Sequence, residues 1–241
     1  MNSPIRNSYG ERLEYAFHAA STPRRPRIVL IGHGVTGNMD RPWAVALAAA
    51  CADSGIDALR FSFSGNGRSQ GLFTDSTITK EVGDLGAVID SLPAGRYPEI
   101  VYVGHSMGGA VGLLRAAFDP RITTLVSLAG MVHTGRFVEA EFGEVVPDQG
   151  LMWDKPDCVF SSAYQADLRS IGTVLPHASS ISVPWLFVHG AQDDVIPLAE
   201  GREIFAAATE PKQMIELPDA DHVFSEAACG QMTCAVTDFL S

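Results

Sequence analysis

The 241-residue sequence lacks any long apolar run of the kind that crosses a membrane or directs secretion. Its opening, MNSPIRNSYGERLEYAFHAA, has no apolar core of signal-peptide length. No later stretch approaches the ~18 apolar residues that a spanning helix needs. We therefore expect a cytoplasmic protein that does not act in or on a membrane.

Positive charge is also scarce, because 17 Lys and Arg residues face 28 Asp and Glu residues, for a net charge of −11. Binding to nucleic acid or to anionic lipid requires clustered Lys and Arg. The one basic cluster is PRRPR at 23–27, which we interpret as a solvated turn before the first core strand. Neither nucleic acid nor membrane is expected as a partner.

Cysteine is equally sparse, and the spacing of the four residues fits neither a zinc site nor a redox pair. They are Cys51, Cys158, Cys229 and Cys234. We expect buried free thiols, with no metal and no cofactor. There is also no disorder-type tract, since 46% of residues are hydrophobic and 19% charged, so we expect one domain over residues 1–241.

Short apolar runs alternate with helix-like stretches, which predicts an α/β fold with a mostly parallel sheet and helices on both faces. The start, to about residue 20, predicts an antiparallel edge hairpin. The predicted strands are 27–32, 56–63, 99–104, 122–130, 184–190 and 213–218. The predicted helices are 42–54, 77–92, 107–118, 198–208 and 224–240.

The alternation breaks at about 131–183, which is far longer than a usual connection between strands. We interpret this stretch as a small cap insertion over the sheet. Its aromatic residues could line a substrate pocket or form the core of the insertion, and the sequence leaves both possibilities open. They are Phe137, Phe142, Trp153, Phe160 and Tyr164.

The segment VYVGHSMGGAVGLL places Gly-His-Ser-Met-Gly at 104–108 directly after a predicted strand and at the start of a predicted helix. This is the G-x-S-x-G pattern of a nucleophilic serine on a sharp turn. A serine hydroxyl needs such exposure because a base must reach it. Ser106 is therefore the candidate nucleophile, although a glycine-flanked serine can also simply cap a helix.

An acid and a base follow in the chain order expected for such a serine. FVHGAQDDVIP offers Asp193 or Asp194 after one predicted strand, and LPDADHVF offers His222 after the next. Because the carboxyl ends of parallel strands meet at one edge of a sheet, all three groups should converge. A carboxylate bonded to the histidine would fix its tautomer.

The other histidines are expected to have supporting positions. His105 should point away from the serine, and His33 and His189 end core strands and should brace loops. His133 and His177 belong to the insertion, where surface placement is expected.

GHGVTG at 32–37 fits a second chemistry, because G-x-G-x-x-G after a strand is also the spacing of a dinucleotide-binding loop. An NAD(P)-dependent oxidoreductase is therefore an alternative. The acidic residue wanted at the end of the second core strand is missing, since Asp57 lies at its beginning. That alternative also leaves Ser106, Asp193 and His222 unexplained.

Taken in order, HGVTGN, GHSMGG, HGAQDDVIP and DADHVF resemble the α/β-hydrolase family over about residues 10–240. Compact serine esterases of the cinnamoyl or feruloyl esterase and monoacylglycerol lipase-like groups are the most similar in appearance, and FSFSGNGRSQG at 61–71 also resembles a loop of the family. The resemblance implies an α/β-hydrolase fold and Asp193, rather than Asp194, as the acid. It also implies two oxyanion-hole N–H groups, those of Val35 and Met107.

The sequence departs from cinnamoyl esterases at Val35, where those enzymes usually carry an aromatic residue. Together, the motifs and the resemblance predict a serine hydrolase, a carboxylesterase acting on a small-molecule ester without a cofactor. Thioesterase, peptidase and other serine-triad acyl hydrolase activities remain alternatives, as does a binding protein without turnover. Oligomeric state is not readable from the sequence.

Overall fold

Seven strands form the central sheet of the computed structural model, which describes residues 4–21 and 24–241. The strand order is β3-β5-β4-β6-β7-β8-β9, and all neighbours are parallel except β3, which pairs antiparallel with β5. Strands β1 and β2 form a separate antiparallel hairpin. The strands are β1 Ile5–Arg6, β2 Arg12–Leu13, β3 Tyr15–His18, β4 Arg27–Gly32, β5 Asp57–Phe61, β6 Glu99–His105, β7 Ile122–Leu128, β8 Trp185–Gly190 and β9 Lys212–Leu217.

Helices cover both faces of this sheet. They are α1 Pro42–Asp53, α2 Ile78–Asp90, α3 Met107–Ala116, α4 Thr134–Phe142, α5 Ser162–Ile171, α6 Leu198–Ala207 and α7 Ala227–Phe239. Helices α1 and α7 pack together on one face, and α2 and α3 pack on the other. The expected α/β-hydrolase fold, with its mostly parallel sheet, is confirmed.

The two faces explain the near-continuous hydrophobicity of the central strands. In β4, Ile28 and Leu30 belong to the core under α2 and α3, whereas Val29 and Ile31 belong to the core under α1 and α7. Successive side chains of a strand point to opposite faces, so a strand buried on both sides is apolar at every position.

Every predicted strand and helix is present, with small differences at the ends. Helix α7 begins at Ala227 rather than at 224 because Phe224 and Glu226 adopt left-handed backbone conformations, with φ of 53° and 52°. Such residues cannot continue a right-handed helix. The antiparallel edge predicted for the first residues is also present in β1, β2 and β3.

The arginines of the basic cluster bind the chain's own acceptors. Arg24 forms an ion pair with Asp57, which is fully buried, and Arg25 donates to the carbonyl oxygens of Leu240 (3.1 Å) and Ser241 (2.8 Å). Pro23, at the start of the cluster, lies outside the described residues. These contacts tie the segment before β4 to the C-terminus.

Four of the five insertion aromatics form a core, whereas Trp153 is 38% exposed. Ring centroids lie 5.8 Å apart for Phe137 and Phe142, 5.1 Å for Phe142 and Phe160, and 6.3 Å for Phe160 and Tyr164. The insertion therefore stabilises itself through aromatic packing. Trp153 alone remains available to a substrate cleft.

All four cysteines are free, but the expectation that they are buried is correct only for Cys51. Cys234 is exposed because α7 buries Ala228, Met232 and Val236, which are spaced four residues apart on the opposite side of the helix. Within residues 4–21 and 24–241, no helix is both long and apolar enough to cross a bilayer.

The contact between α3 and β6 leaves no room for a side chain at Gly112. A Cβ there would lie 2.3 Å from the ring of Tyr102, which is fully buried and cannot move aside. We expect Gly112→Ala to lower the free energy of unfolding by about 1–3 kcal/mol through overpacking. Urea unfolding followed by circular dichroism measures this change.

The matched control is Gly83→Ala in α2, where a Cβ would meet nothing within 4 Å. That substitution should stabilise the protein by up to about 1 kcal/mol, because glycine is a poor helix former. Equal effects of the two substitutions would contradict the packing account.

Candidate active site

Ser106 lies on a sharp turn between β6, the middle strand of the sheet, and α3. Its backbone has φ 54° and ψ −120°, a conformation that costs a non-glycine residue about 1–3 kcal/mol. Three hydrogen bonds hold it: its N–H donates to Leu128 O, and its carbonyl oxygen accepts from Gly109 N and Met131 N, each at 2.9 Å. Backbone hydrogen bonds to three other residues thus fix the position of the serine.

Glycines permit this turn because backbone segments pack directly against one another. A Cβ at Gly104 would lie 2.2 Å from Gly108 O, and a Cβ at Gly108 would lie 2.6 Å from His33 O. At Gly34 it would lie 2.8 Å from the Cβ of Ser106. The loop after β4 therefore rests against the serine turn.

Asp193 follows β8 and is surrounded by hydrogen-bond donors. Its Oδ1 accepts from the N–H groups of Val195 (3.0 Å) and Ile196 (2.8 Å), while Oδ2 lies 2.9 Å from His222 Nδ1 and 3.3 Å from His189 Nε2. Burial acts to raise the pKa of this carboxyl, but the hydrogen bonds from His189 and His222 outweigh it and hold the pKa below its ordinary value. Asp193 therefore stays ionised although its side chain is fully buried.

His222 lies on the loop between β9 and α7, and both its side chain and its backbone are held. Its Nδ1–H donates to Asp193, and its carbonyl oxygen accepts from His105 Nε2 at 2.8 Å. The two imidazole rings lie 4.8 Å apart, and His105 also packs against Trp43. The other ring nitrogen of His222 remains for the cleft.

Val35 and Met107 carry backbone N–H groups without a protein acceptor among the residues that the structure describes. Val35 follows Gly34 against the serine turn, and Met107 is the first residue of α3. The first N–H groups of a helix have no partner within the helix, and they favour negative charge. Two free donors therefore lie beside Ser106.

Ser106 and His222 line one cleft of about 240 Å³. Its wall also includes Arg41, Lys155 and Trp43, which were not among the residues predicted from the sequence. No periodicity or motif marks them, because they come from a loop, the insertion and a helix that meet only in the fold. In the described part of the chain, no group of three or more His, Cys, Asp or Glu side chains is arranged so that it could hold a metal ion.

The remaining histidines mostly match their expected positions. His33 accepts from Phe63 N–H through Nε2 (3.1 Å) and donates from Nδ1 to Gly34 O (2.8 Å), and His189 Nε2 lies 2.9 Å from Ile196 O, so both brace loops. His177 is exposed as expected. His133, in contrast, is buried, because its Nε2 lies 2.8 Å from a Glu203 oxygen that covers it.

The GHGVTG loop does not open directly into a helix. Its end forms a turn in which Gly37 N–H donates to Gly34 O at 3.0 Å, and α1 begins only at Pro42. A dinucleotide-binding loop instead places the pyrophosphate at the N-terminus of the helix that it opens. The loop lies against the serine turn rather than forming such a site.

The sequence model of the Alpha/beta hydrolase family matches residues 28–231. Curated relatives include the uncharacterized protein YfhR of Salmonella typhi, 29% identical over 201 residues that cover 79% of this chain and 62% of that protein. The chain thus spans less than two thirds of the length of this relative. The mitochondrial palmitoyl-protein thioesterase ABHD10 of Rattus norvegicus is 25% identical over 230 residues, covering 90% of this chain and 76% of that protein.

Solved structures share the fold over nearly the whole chain. Est1E from Butyrivibrio proteoclasticus with bound ferulic acid superimposes with a TM-score of 0.87 at 24% identity, covering 99% of this chain and 97% of that one. Mouse alpha/beta hydrolase domain-containing protein 10 superimposes with a TM-score of 0.78 at 23% identity, with coverage of 99% and 97%. At these identities the likeness shows the fold alone.

The hydrogen bonds of His33 require a neutral imidazole, because Nε2 must accept from Phe63. Burial lowers the pKa of His33 to about 4, whereas in the unfolded chain it is about 6.5. The unfolded state therefore binds an extra proton as the pH falls from about 6.5 towards 4, so stability is lost in that range. We expect His33→Gln to flatten the dependence of unfolding free energy on pH by up to about 1.4 kcal/mol per pH unit there.

Urea unfolding at a series of pH values compares the slopes rather than the absolute stabilities. His177→Gln is the control, since His177 is exposed, and its slope should equal that of the original protein. An unchanged slope in His33→Gln would show that this imidazole is not buried in its neutral form.

Proposed function

This chain belongs to the alpha/beta hydrolase family, and we propose that it is a serine hydrolase that cleaves carboxylic esters through an acyl-enzyme intermediate. The observation that carries the proposal is the arrangement of three groups at one edge of the sheet. Asp193 is bonded to His222, and His222 shares a cleft with Ser106 on its strained turn.

In the first half of the proposed reaction, Ser106 Oγ attacks the ester carbonyl carbon. His222 takes the hydroxyl proton at Nε2, and the carbonyl oxygen becomes an oxyanion that accepts from the N–H groups of Val35 and Met107. Collapse of this intermediate breaks the bond to the alcohol oxygen, which receives the proton from His222. The acyl group remains on Ser106.

In the second half, water repeats the sequence in place of the serine. His222 takes a proton from water, the hydroxide attacks the acyl carbon, and Ser106 leaves with the proton returned by His222. The products are a carboxylic acid, an alcohol and the original enzyme. No cofactor enters either half.

The electrostatics of Asp193 support this division of roles. An ionised carboxylate at His222 Nδ1 keeps that nitrogen protonated, so Nε2 is the nitrogen that is free to accept. It also stabilises the imidazolium that forms in each half of the reaction. Asp193 accepts three hydrogen bonds and has His189 Nε2 3.3 Å away, so fixed donors stabilise its charge in place of water.

Thioester hydrolysis is a second candidate, because one relative is named for that activity. ABHD10 of Rattus norvegicus is named a palmitoyl-protein thioesterase, whereas Est1E binds ferulic acid. The same three groups would act on an acyl thioester through the same intermediate. Comparing kcat/KM for matched butyryl esters and thioesters distinguishes the two activities.

Replacement of the proposed nucleophile is the direct test. We expect Ser106→Ala to lower kcat for p-nitrophenyl butyrate on the order of 10³-fold or more, because no covalent intermediate can form. A fluorophosphonate probe should label Ser106 in the original protein and nothing in the variant, as read by peptide mass spectrometry. Ser180→Ala, which removes an exposed serine of the insertion, serves as the control; retained turnover in Ser106→Ala would end the proposal.

The two adjacent aspartates provide a matched pair for the acid. Asp193→Asn should lower kcat on the order of 10³- to 10⁴-fold, because an amide at this position favours the wrong tautomer of His222. Asp194→Asn removes the same charge from an exposed side chain and should change kcat less than about threefold. Steady-state kinetics of both variants decide the assignment, and a larger loss in Asp194→Asn would reverse it.

A further inference from the structure

Two cations face the cleft that holds Ser106. Arg41, directly before α1, and Lys155, in the insertion, both line it. They converge on Thr36, since Arg41 Nη2 donates to Thr36 O at 3.1 Å and Lys155 Nζ donates to Thr36 Oγ1 at 2.7 Å. Both side chains are half-buried.

Neither cation forms an ion pair with a carboxylate among the described residues, and three acids of the surrounding region bind other partners. Asp40 pairs with Arg60, and Glu141 accepts from Trp153 Nε1 at 2.7 Å. The carboxylate of Asp193 is taken up by its histidine and backbone donors. No ion pair within the described residues therefore neutralises the positive charge at the cleft.

The two positive charges lie close enough to influence each other. Burial and the nearby Arg41 both lower the pKa of Lys155, so the pair repels itself. The chain as a whole carries a charge of −11, which makes two cations without an ion-pair partner at one cleft a local exception. Thr36 offers these cations only neutral oxygens, and Lys155 also lies over the Trp153 ring at 5.6 Å. Half-buried cations without an anionic partner are sites where an anion binds favourably.

We propose that Arg41 and Lys155 form a subsite for an anionic group, a carboxylate or a phosphate, carried by the ester that is cleaved at Ser106. This inference rests on the proposed function and narrows its substrate class. The guanidinium offers a planar fork to the anion, and the ammonium offers a mobile point charge. Neutral esters would occupy the same cleft without an anionic group to pair with the guanidinium or the ammonium.

A purely structural role makes a different prediction. Thr36 has a left-handed backbone, with φ 53°, and follows Val35 directly. If the two cations only fixed this loop, their removal would disturb the oxyanion donors and slow neutral and anionic esters equally. The ratio of the two rates therefore separates the roles.

The test measures kcat/KM on length-matched pairs of esters. The acyl pair is p-nitrophenyl hexanoate and mono-p-nitrophenyl adipate, corrected for spontaneous hydrolysis. The alcohol set consists of phenyl, p-carboxyphenyl and p-phosphonooxyphenyl butyrate. Hydrolysis of these esters is measured by the release of acid. Comparison of the acyl and alcohol sets shows on which side of the ester the anionic group binds. Comparison of the carboxylate and phosphate esters shows which anionic group is preferred.

We expect Arg41→Met and Lys155→Met each to lower the anionic-to-neutral ratio on the order of tenfold in at least one set. Lys155→Arg should keep the ratio within about threefold, because the charge is retained. Arg202→Met is the matched control, since it removes an equally positive but exposed side chain that pairs with Glu216 outside the cleft. Raising the salt concentration from about 0.05 M to about 0.5 M should lower the ratio in the original protein and not in the double variant.

A binding measurement keeps this inference separate from the proposed reaction. Ser106→Ala should bind mono-p-nitrophenyl adipate more tightly than p-nitrophenyl hexanoate in isothermal titration, and adding Lys155→Met should remove that preference. If no ester is hydrolysed but this preference is present, the proposed function fails and the subsite stands. Equal ratios in all variants, or equal binding of both esters, overturn the subsite.

Discussion

The close approach of the Ser106 turn to the loop after β4 is the constraint on which the rest of the site depends. The positive φ of Ser106 costs conformational energy. The conformation persists because the N–H group of this residue donates to Leu128 and its carbonyl oxygen accepts from Gly109 and Met131. Gly34, Gly104 and Gly108 allow backbone to touch backbone there. Any side chain at these positions would separate the proposed nucleophile from the proposed oxyanion donors.

The second organising interaction is the buried carboxylate of Asp193. It joins two loops that are distant in the sequence, because it binds the backbone after its own strand and the imidazole of His222. Its charge is stabilised by fixed donors rather than by water, so its geometry does not depend on solvent. Arg41 and Lys155 line the cleft at the same edge of the sheet. The negative charge of Asp193 therefore orients the base, whereas the two positive charges form the proposed anion subsite.

Several features were predictable because they are local. The strands and helices follow from hydrophobic runs, and the serine motif with its acid and base follows from residue types at recognisable positions after strands. The errors arise where distant contacts decide. His133 is buried and bonded to Glu203, seventy positions away, and Cys234 is exposed by the orientation of α7. The later start of α7 has a local cause, the backbone conformation of Glu226.

By itself, the sequence determined the α/β fold and the candidates Ser106, His222 and one of two adjacent aspartates, because periodicity and motifs are local properties of the chain. Only the tertiary structure decided that Asp193 rather than Asp194 bonds to His222, and that the insertion packs most of its aromatic rings into its own core. It alone also brought Arg41 and Lys155 to one cleft. Such outcomes depend on burial and on contacts between residues 29 positions apart, as for Asp193 and His222, or 119 apart, as for Thr36 and Lys155, which no local pattern encodes.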